Sequence, residues 1–149
     1  TDQGTVEVKN AGEGSGTMTV TGKDGQTAQY QFAGGDGKAV SLPTSFPSDF
    51  PVAAGATATG SFASTEGGAQ SFTISWDVPG TVAEVKDFYN KELVAKGWRI
   101  TATSEIEGTA TLVFERGPQD APRKDGGWIS VSTEDGKTKV ALILALNQQ

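Results

Sequence analysis

Carboxylates are the side chains in this chain best suited to catalysis, because the sequence contains no cysteine and no histidine. Disulfides, zinc sites built on those residues and every histidine-dependent triad are therefore excluded. Glu105 and Glu107 stand two positions apart, a spacing that places both carboxylates on one face of a strand. Glycosidases use paired carboxylates, but a pair beside a turn is far more often solvated. A carboxylate-dependent hydrolase is thus the weakest function that we consider.

Aspartate followed by glycine occurs repeatedly and raises the question of calcium: Asp24, Asp36, Asp125 and Asp135. The EF-hand spacing D-x-[DN]-x-[DN]-G is absent, and a turn explains each Asp-Gly pair. The glycines of "GEGSG" lack the strand and helix that a phosphate-binding loop needs. We therefore expect no metal, no cofactor and no enzymatic activity.

The charge of the chain limits its partners. Its 149 residues include 12 basic and 18 acidic side chains, for a net charge of −6. This balance disfavours nucleic acid and anionic lipid, and the adjacent cations Arg123 and Lys124 are too few to reverse it. The longest apolar run, Val140 to Leu146, is too short to span a bilayer. We expect no nucleic-acid partner, no transmembrane segment, and a monomer or weak homo-oligomer.

One amphipathic helix, at about 81–96, is well marked in the sequence. Thr81 and Glu84 have the spacing of a capping box at its start, and Gly97 is placed to end it in a left-handed conformation. Apolar residues recur between these ends at helical spacing: Val82, Val85, Phe88 or Tyr89, and Leu93. One side of this helix is expected to lie on a sheet.

Alternating apolar and polar residues predict antiparallel strands before and after the helix. In the hairpin that follows the helix, an inward-facing Ile106 requires a three-residue loop, Glu107 to Thr109. In the last hairpin, Asp135-Gly136 predicts a two-residue turn that pairs Val131 with Val140. The same register sets Trp128 opposite Ile143 on the outward side.

These elements predict an α+β fold, a mostly antiparallel β-sheet with the single helix packed on one face and an N-terminal β-hairpin. The expected order is a flexible Gly-rich leader at 1–16, the hairpin at 17–40, an extended Pro/Phe strap at 41–56 and a β-β-α-β-β-β-β domain at 57–149. The strap contains "SFPSDFPV", whose phenylalanines are expected to anchor it on the core.

Two groups of residues are candidates for binding. Trp76, Trp98 and Tyr89 could line a small-ligand pocket between helix and sheet, although packing under the helix explains them more simply.

Trp128, Arg123 and Lys124 are the candidates for a contact surface, because the register points Trp128 away from the main core. The favoured alternative is that the N-terminal hairpin covers Trp128 through Tyr30 and Phe32.

Two segments together resemble a group of uncharacterised bacterial secreted proteins and lipoproteins. The patterns are LPxxFPxDxP and a helix ending in FYxxELxxxGW, and the matching residues are Leu42, Pro43, Phe46, Pro47, Asp49 and Pro51, then Phe88, Tyr89, Glu92, Leu93, Gly97 and Trp98. The resemblance covers about residues 17 to 116. It implies export, with lipid anchoring through a residue upstream of Thr1 as one form, and it implies no activity.

We therefore expect an extracytoplasmic, non-enzymatic domain, secreted, periplasmic or on the cell surface. Its partner would be a protein or another cell-envelope component, and its role binding or structural. The principal alternative is a small-ligand binding module.

Overall fold

A computed structural model describes residues 4–12, 15–23, 26–34, 39–40, 42–43, 45–66, 68–118, 120 and 125–147. Within these residues, nine strands form one antiparallel sheet in the order β1-β2-β3-β4-β5-β9-β8-β7-β6. The elements are β1 Thr5–Gly12, β2 Ser15–Thr21, β3 Thr27–Gly34, β4 Thr57–Glu66, β5 Ala69–Val78, α1 Val82–Ala95, β6 Arg99–Ile106, β7 Thr109–Arg116, β8 Asp125–Glu134 and β9 Lys137–Asn147. The predicted antiparallel sheet with one helix and an N-terminal hairpin is confirmed in this form.

The helix has the two ends that its sequence predicts. The Thr81 hydroxyl accepts a hydrogen bond from the Glu84 amide at 3.2 Å. Gly97 has a φ of 90°, and the amide of the following residue, Trp98, donates to the Leu93 carbonyl at 2.9 Å. This is the pattern of a Schellman motif, which satisfies carbonyls that a helix end would otherwise leave unpaired. The chain leaves the helix directly into β6.

The core lies between α1 and one side of the sheet, which we call the inner face; the opposite side is the outer face. The helix buries Val85, Tyr89 and Leu93, and the sheet supplies apolar side chains from β5, β9, β8 and β7. The period-2 alternation of these strands sends their intervening residues to the outer face. Among the described residues, no helix is long and apolar enough to cross a membrane.

The N-terminal segment differs from the flexible leader predicted for residues 1–16. Thr5–Gly12 form β1, which pairs with β2 and sets Val6 opposite Val20 and Val8 opposite Met18. The glycine content predicted a leader, but the short Val-x-Val alternation supports a strand once a partner ladder is present. Because β3 pairs with β4, the N-terminal hairpin extends the sheet sideways.

The hairpin after the helix also differs from its prediction. Its loop has two residues, Glu107 and Gly108, with φ values of 50° and 79°, and the predicted three-residue loop is wrong. A bulge between Ile100 and Ala102 shifts the register by one, so that Ile100 faces the core while Ile106 is 68% exposed. The last hairpin follows its prediction: Asp135 and Gly136 form the turn, and Val131 pairs with Val140.

The strap is folded into turns rather than extended. The Phe46 amide donates to the Pro43 carbonyl at 3.0 Å, and the Phe50 amide donates to the Pro47 carbonyl at 3.3 Å. The four-residue spacing of the prolines is thus the spacing of two successive turns, each of which ends in a phenylalanine. Phe50 is 4% exposed within the core, where these turns deliver it.

Candidate functional site

A cleft of about 490 Å³ opens at one end of the sheet, where β4 begins, β5 ends and β9 begins. The connection from β5 to α1 and the β8–β9 turn complete its walls. Its side chains combine hydroxyls, a carboxylate, an ammonium group and apolar surface, and they include Thr57, Thr59, Asp77, Val78, Lys137 and Thr138. No group of three or more acidic side chains that could hold a metal ion occurs in the described part of the chain.

Asp77 is the charged centre of this cleft. The β5–β9 register pairs it with Lys139, whose Nζ lies 3.2 Å from Asp77 Oδ1. Lys137 Nζ lies 4.0 Å from the other carboxylate oxygen. The carboxylate raises the pKa of Lys139 above its ordinary value, chiefly through their direct contact. Despite this ion pair, Asp77 Oδ1 is buried and has no hydrogen bond of good geometry.

The cleft walls are held by hydrogen bonds between separate elements. Thr138 is 5% exposed, and its hydroxyl donates to the Gly80 carbonyl at 2.6 Å, which ties the β5–α1 connection to β9. Thr59 occupies a bulge in β4, where the register shifts between Ala58 and Gly60. Such bulges re-aim side chains, and Thr59 is one of the residues lining the cleft. The walls are therefore preformed rather than made by a free loop.

The three aromatic residues predicted to line a helix–sheet pocket are all buried. Tyr89, Trp76 and Trp98 have exposed fractions of 0%, 1% and 3%. Phe46 packs edge-to-face on Trp76 at 6.3 Å between ring centres, and Phe50 does so on Trp98 at 6.1 Å. The phenylalanines of the strap thus occupy space beside these residues, and none of the three lines the cleft.

Two polar atoms in this aromatic cluster are left without hydrogen bonds. Both Tyr89 Oη and Trp98 Nε1 are buried and unpartnered. Burial raises the pKa of Tyr89 to about 12, and the nearby Ala53 backbone offsets only part of that effect without an aligned hydrogen bond. Each orphaned group costs free energy that the surrounding packing must offset.

The two sequence motifs meet at one place in the fold. Asp49 of the strap lies 3.4 Å from Arg116, whose guanidinium carbon lies 4.2 Å from the centre of the Trp98 ring. Phe50 packs on the same tryptophan and on Phe114. The LPxxFPxDxP segment is therefore fastened to the end of the FYxxELxxxGW segment by both apolar and charged contacts.

The other candidate residues are dispersed. Trp128 is 39% exposed on the outer face, and the N-terminal hairpin does not cover it. Arg123 and Lys124 lie outside the described residues. Glu105 forms an exposed ion pair with Lys86 at 3.3 Å, and Glu107 occupies the β6–β7 turn, so neither carboxylate lines the cleft.

Sequence reasoning missed the cleft. Asp77 looks in the sequence like an ordinary outward residue of β5, and nothing in the nearby letters marks it. The cleft arises because segments around 57, 78 and 137 meet in space, and no local pattern reports such a meeting.

A family model described as START domain-like matches residues 56–140, more than half of the chain. This region spans β4 to the first strand positions of β9, and it contains the six cleft side chains named above. No curated protein and no solved structure compared with the chain matches it.

Proposed function

Because the chain belongs to the START domain-like family, we propose that it is a small-ligand binding module rather than an enzyme. Domains of this kind are typically binding modules. The named cleft side chains lie within the matched region, whereas the strap up to Ala53 and the strands β1 to β3 precede it. The family resemblance and the cleft therefore coincide in the same part of the fold.

The observation that carries the proposal is the preformed cleft, with the charged group of Asp77 and Lys137 in its lining. At about 490 Å³ the cleft falls within the range of roughly 300–1,000 Å³ that small-molecule sites occupy. Asp77 lines the cleft beside two ammonium groups, with Lys139 at 3.2 Å and Lys137 at 4.0 Å, and its carboxylate is the acceptor proposed for a ligand's N–H or O–H group. An acceptor on the same ligand would meet the Lys137 ammonium group.

The proposed ligand is thus small and polar, with a donor for Asp77 and an apolar part against Val78 and Pro79. Catalysis forms no part of the proposal. The cleft side chains offer hydroxyls but no histidine or cysteine that could act with them. The two carboxylates considered for glycoside hydrolysis lie elsewhere on the surface.

A thermal-shift screen tests this proposal. We would use a fragment set rich in small amines, amides and polyols and select compounds that raise the melting temperature of the wild-type protein. Asp77→Asn keeps the shape of the side chain but weakens its acceptor. Ligands that bind in the cleft should therefore bind this variant at least about tenfold more weakly and raise its melting temperature less. The matched control is Asp87→Asn on the outer side of α1, which should leave them unchanged.

Two results would contradict the binding function. One is a screen in which no compound stabilises the wild type; the other is a set of hits that bind equally well to Asp77→Asn.

We further propose that the module acts outside the cytoplasm, where it binds or supports a protein or another component of the cell envelope. The support is the resemblance carried by the strap and the end of α1. Cell fractionation of the source organism, with detection of this protein in each fraction, tests this point. Recovery in the cytoplasmic fraction alone would refute it.

A further inference from the structure

Exposed apolar side chains are concentrated on the outer face of the sheet. Ten large hydrophobic side chains are exposed among the described residues. The strand register places eight of them on the outer face, and only Val52 and Val94 lie elsewhere. Large exposed apolar patches on soluble proteins mark interaction sites.

The register arranges part of this patch as one row across six strands, which we call the ridge. Consecutive cross-strand partners form it: Phe32, Phe62, Thr73, Ile143, Trp128 and Val113. The five apolar members have exposed fractions between 38% and 43%. The ridge thus runs from β3 to β7 and passes over the middle of the sheet.

Small residues flank the ridge on both sides along its four central strands. One flanking row is Gly60, Ser75, Ala141 and Ser130.

The other row is Ser64, Ser71, Ala145 and Gly126. We call the two rows the troughs. The large side chains therefore protrude from this face as a ridge, and the Gly, Ala and Ser residues on either side leave a groove along each flank.

The ridge and the troughs contain no charged residue, in a chain whose net charge is −6. Beyond one trough stand Asp77 and Lys139, whose opposite charges pair with each other. At the β7 end of the other trough, Glu115 lies opposite Gly126 and pairs with Arg99. An acidic protein repels its own copy unless the surfaces in contact are neutral, and this surface is neutral with a balanced rim.

We propose that two copies of this chain pack outer face to outer face. A two-fold axis parallel to the ridge, midway between the ridge and one trough, sets each ridge over the trough of the other copy. Such an interface is self-complementary, as a two-fold dimer requires, because the same large residues and the same small residues face each other twice. The result is a pair of stacked sheets about 10 Å apart, with apolar side chains between them.

The size of the face suits a stable dimer. The fourteen positions of the ridge and the troughs, at about 4.8 Å by about 6.7 Å each, cover roughly 450 Å² in projection. The side chains stand above this plane and add to that area, and standard specific interfaces bury roughly 800 Å² per partner. The cleft residue Asp77 lies on the same face, beyond the trough that contains Ser75. With the axis beside the trough of Ser64 and Ser71, the contact leaves Asp77 and the cleft uncovered, and the dimer is then independent of the ligand proposal.

Sedimentation velocity over a hundredfold range of protein concentration tests the dimer. We expect the wild type to move from the mass of one chain, 15.4 kDa, to twice that mass as concentration rises. Phe62→Glu and Trp128→Glu each place a charge in the ridge and should raise the dissociation constant at least about tenfold. Val94→Glu is the matched control, because Val94 is 59% exposed on α1, and it should dimerise like the wild type.

A spin label at the interface provides a second test in case Phe62→Glu or Trp128→Glu prevents folding. The chain has no cysteine, so Ser71→Cys carries a single spin label, and its dipolar distance should be short and concentration-dependent. A protein that is monomeric at every concentration, or a dimer unaffected by both ridge variants, would overturn the proposal. So would a monomer that binds neutral phosphatidylcholine vesicles through Phe62 and Trp128, because the face would then belong to a lipid surface.

Discussion

Tyr89 shows how a single side chain can be packed well and hydrogen-bonded poorly. Its ring is fully buried between α1 and the sheet, and it meets Phe88 edge-to-face at 5.1 Å. Its hydroxyl has no partner of good geometry. Burial of the aromatic ring stabilises the fold, whereas the hydroxyl adds little to stability. Its burial disfavours the charged form of the side chain.

This environment predicts a specific dependence on alkaline pH. Burial raises the pKa of Tyr89 to about 12, above the ordinary value of about 10. Its contribution is complete below pH 10 and is lost as the pH rises toward 12, because the unfolded chain releases the proton first. The free energy of unfolding should therefore fall by up to about 1.4 kcal/mol per pH unit in that window.

Tyr89→Phe should remove this alkaline loss and change the free energy of unfolding at pH 7 by less than about 1 kcal/mol, since no hydrogen bond is lost. Urea unfolding of both proteins at a series of pH values measures it. Tyr30→Phe on β3 is the control and should keep the alkaline loss. An equal pH dependence for wild type and Tyr89→Phe would mean that another group is responsible.

At the scale of elements, the strap acts as part of the core. Phe46 lies 5.4 Å from Phe72, and Phe50 lies 5.9 Å from Phe114, so the two turns insert aromatic rings over β5 and β7. The prolines give the segment a stiff backbone that loses little entropy on docking. Its charged fastening, Asp49 to Arg116, is more exposed and worth less.

The double variant Phe46→Ser and Phe50→Ser should lower the free energy of unfolding by at least about 4 kcal/mol, because removal of one buried Phe side chain typically costs about 3–5 kcal/mol. Thermal melting and urea unfolding both report it. Val52→Ser is the matched control, because Val52 belongs to the same segment but is 39% exposed, and it should cost little. An unchanged melting temperature in the double variant would show that the two phenylalanines do not anchor the strap on the core.

Local signals in the sequence predicted some elements well. Thr81 and Gly97 mark the ends of α1 because capping depends on residues within one turn of the chain. Asp135-Gly136 predicted the β8–β9 turn and its register for the same reason. In each case the residues that decide the structure are neighbours in sequence.

Other features depend on residues far apart and escaped prediction. The bulge between Ile100 and Ala102 turns Ile106 outward, and nothing around Ile106 reports a bulge six residues earlier. Strand β1 exists because β2 offers a ladder to it, and Asp77 lines a cleft because distant segments meet there. These outcomes belong to tertiary structure, which overrides local propensity.

At the scale of the whole molecule, the sheet has two unequal parts. Among the described residues, the core includes side chains from β4 onward and from the strap, but none from β1, β2 or β3. Those three strands turn polar residues to the inner face, such as Thr17, Gln29 and Gln31. Within the part of the chain that the structure describes, the sheet order joins them to the other strands through the pairing of β3 with β4.

A chain of residues 39–149 should therefore fold without β1 to β3. We expect cooperative urea unfolding, an unchanged near-ultraviolet circular dichroism spectrum from the buried tryptophans, and a loss of at most about 2 kcal/mol in the free energy of unfolding. The matched control begins at residue 57, which also removes the strap, and it should be far less stable. Failure of the 39–149 chain to fold would show that the N-terminal strands contribute to the core.

The pairing between β3 and β4 also determines which backbone amides exchange first with solvent. Strands that rest on one ladder can unzip while the remainder stays folded, so the amides of β1 to β3 should exchange with deuterium through fast local openings. The amides of β5 and β9, enclosed in the middle of the sheet, should exchange only when the whole chain unfolds. The molecule should thus show two hydrogen-exchange regimes, and the boundary between them lies at the β3–β4 ladder, where Phe32 pairs with Phe62.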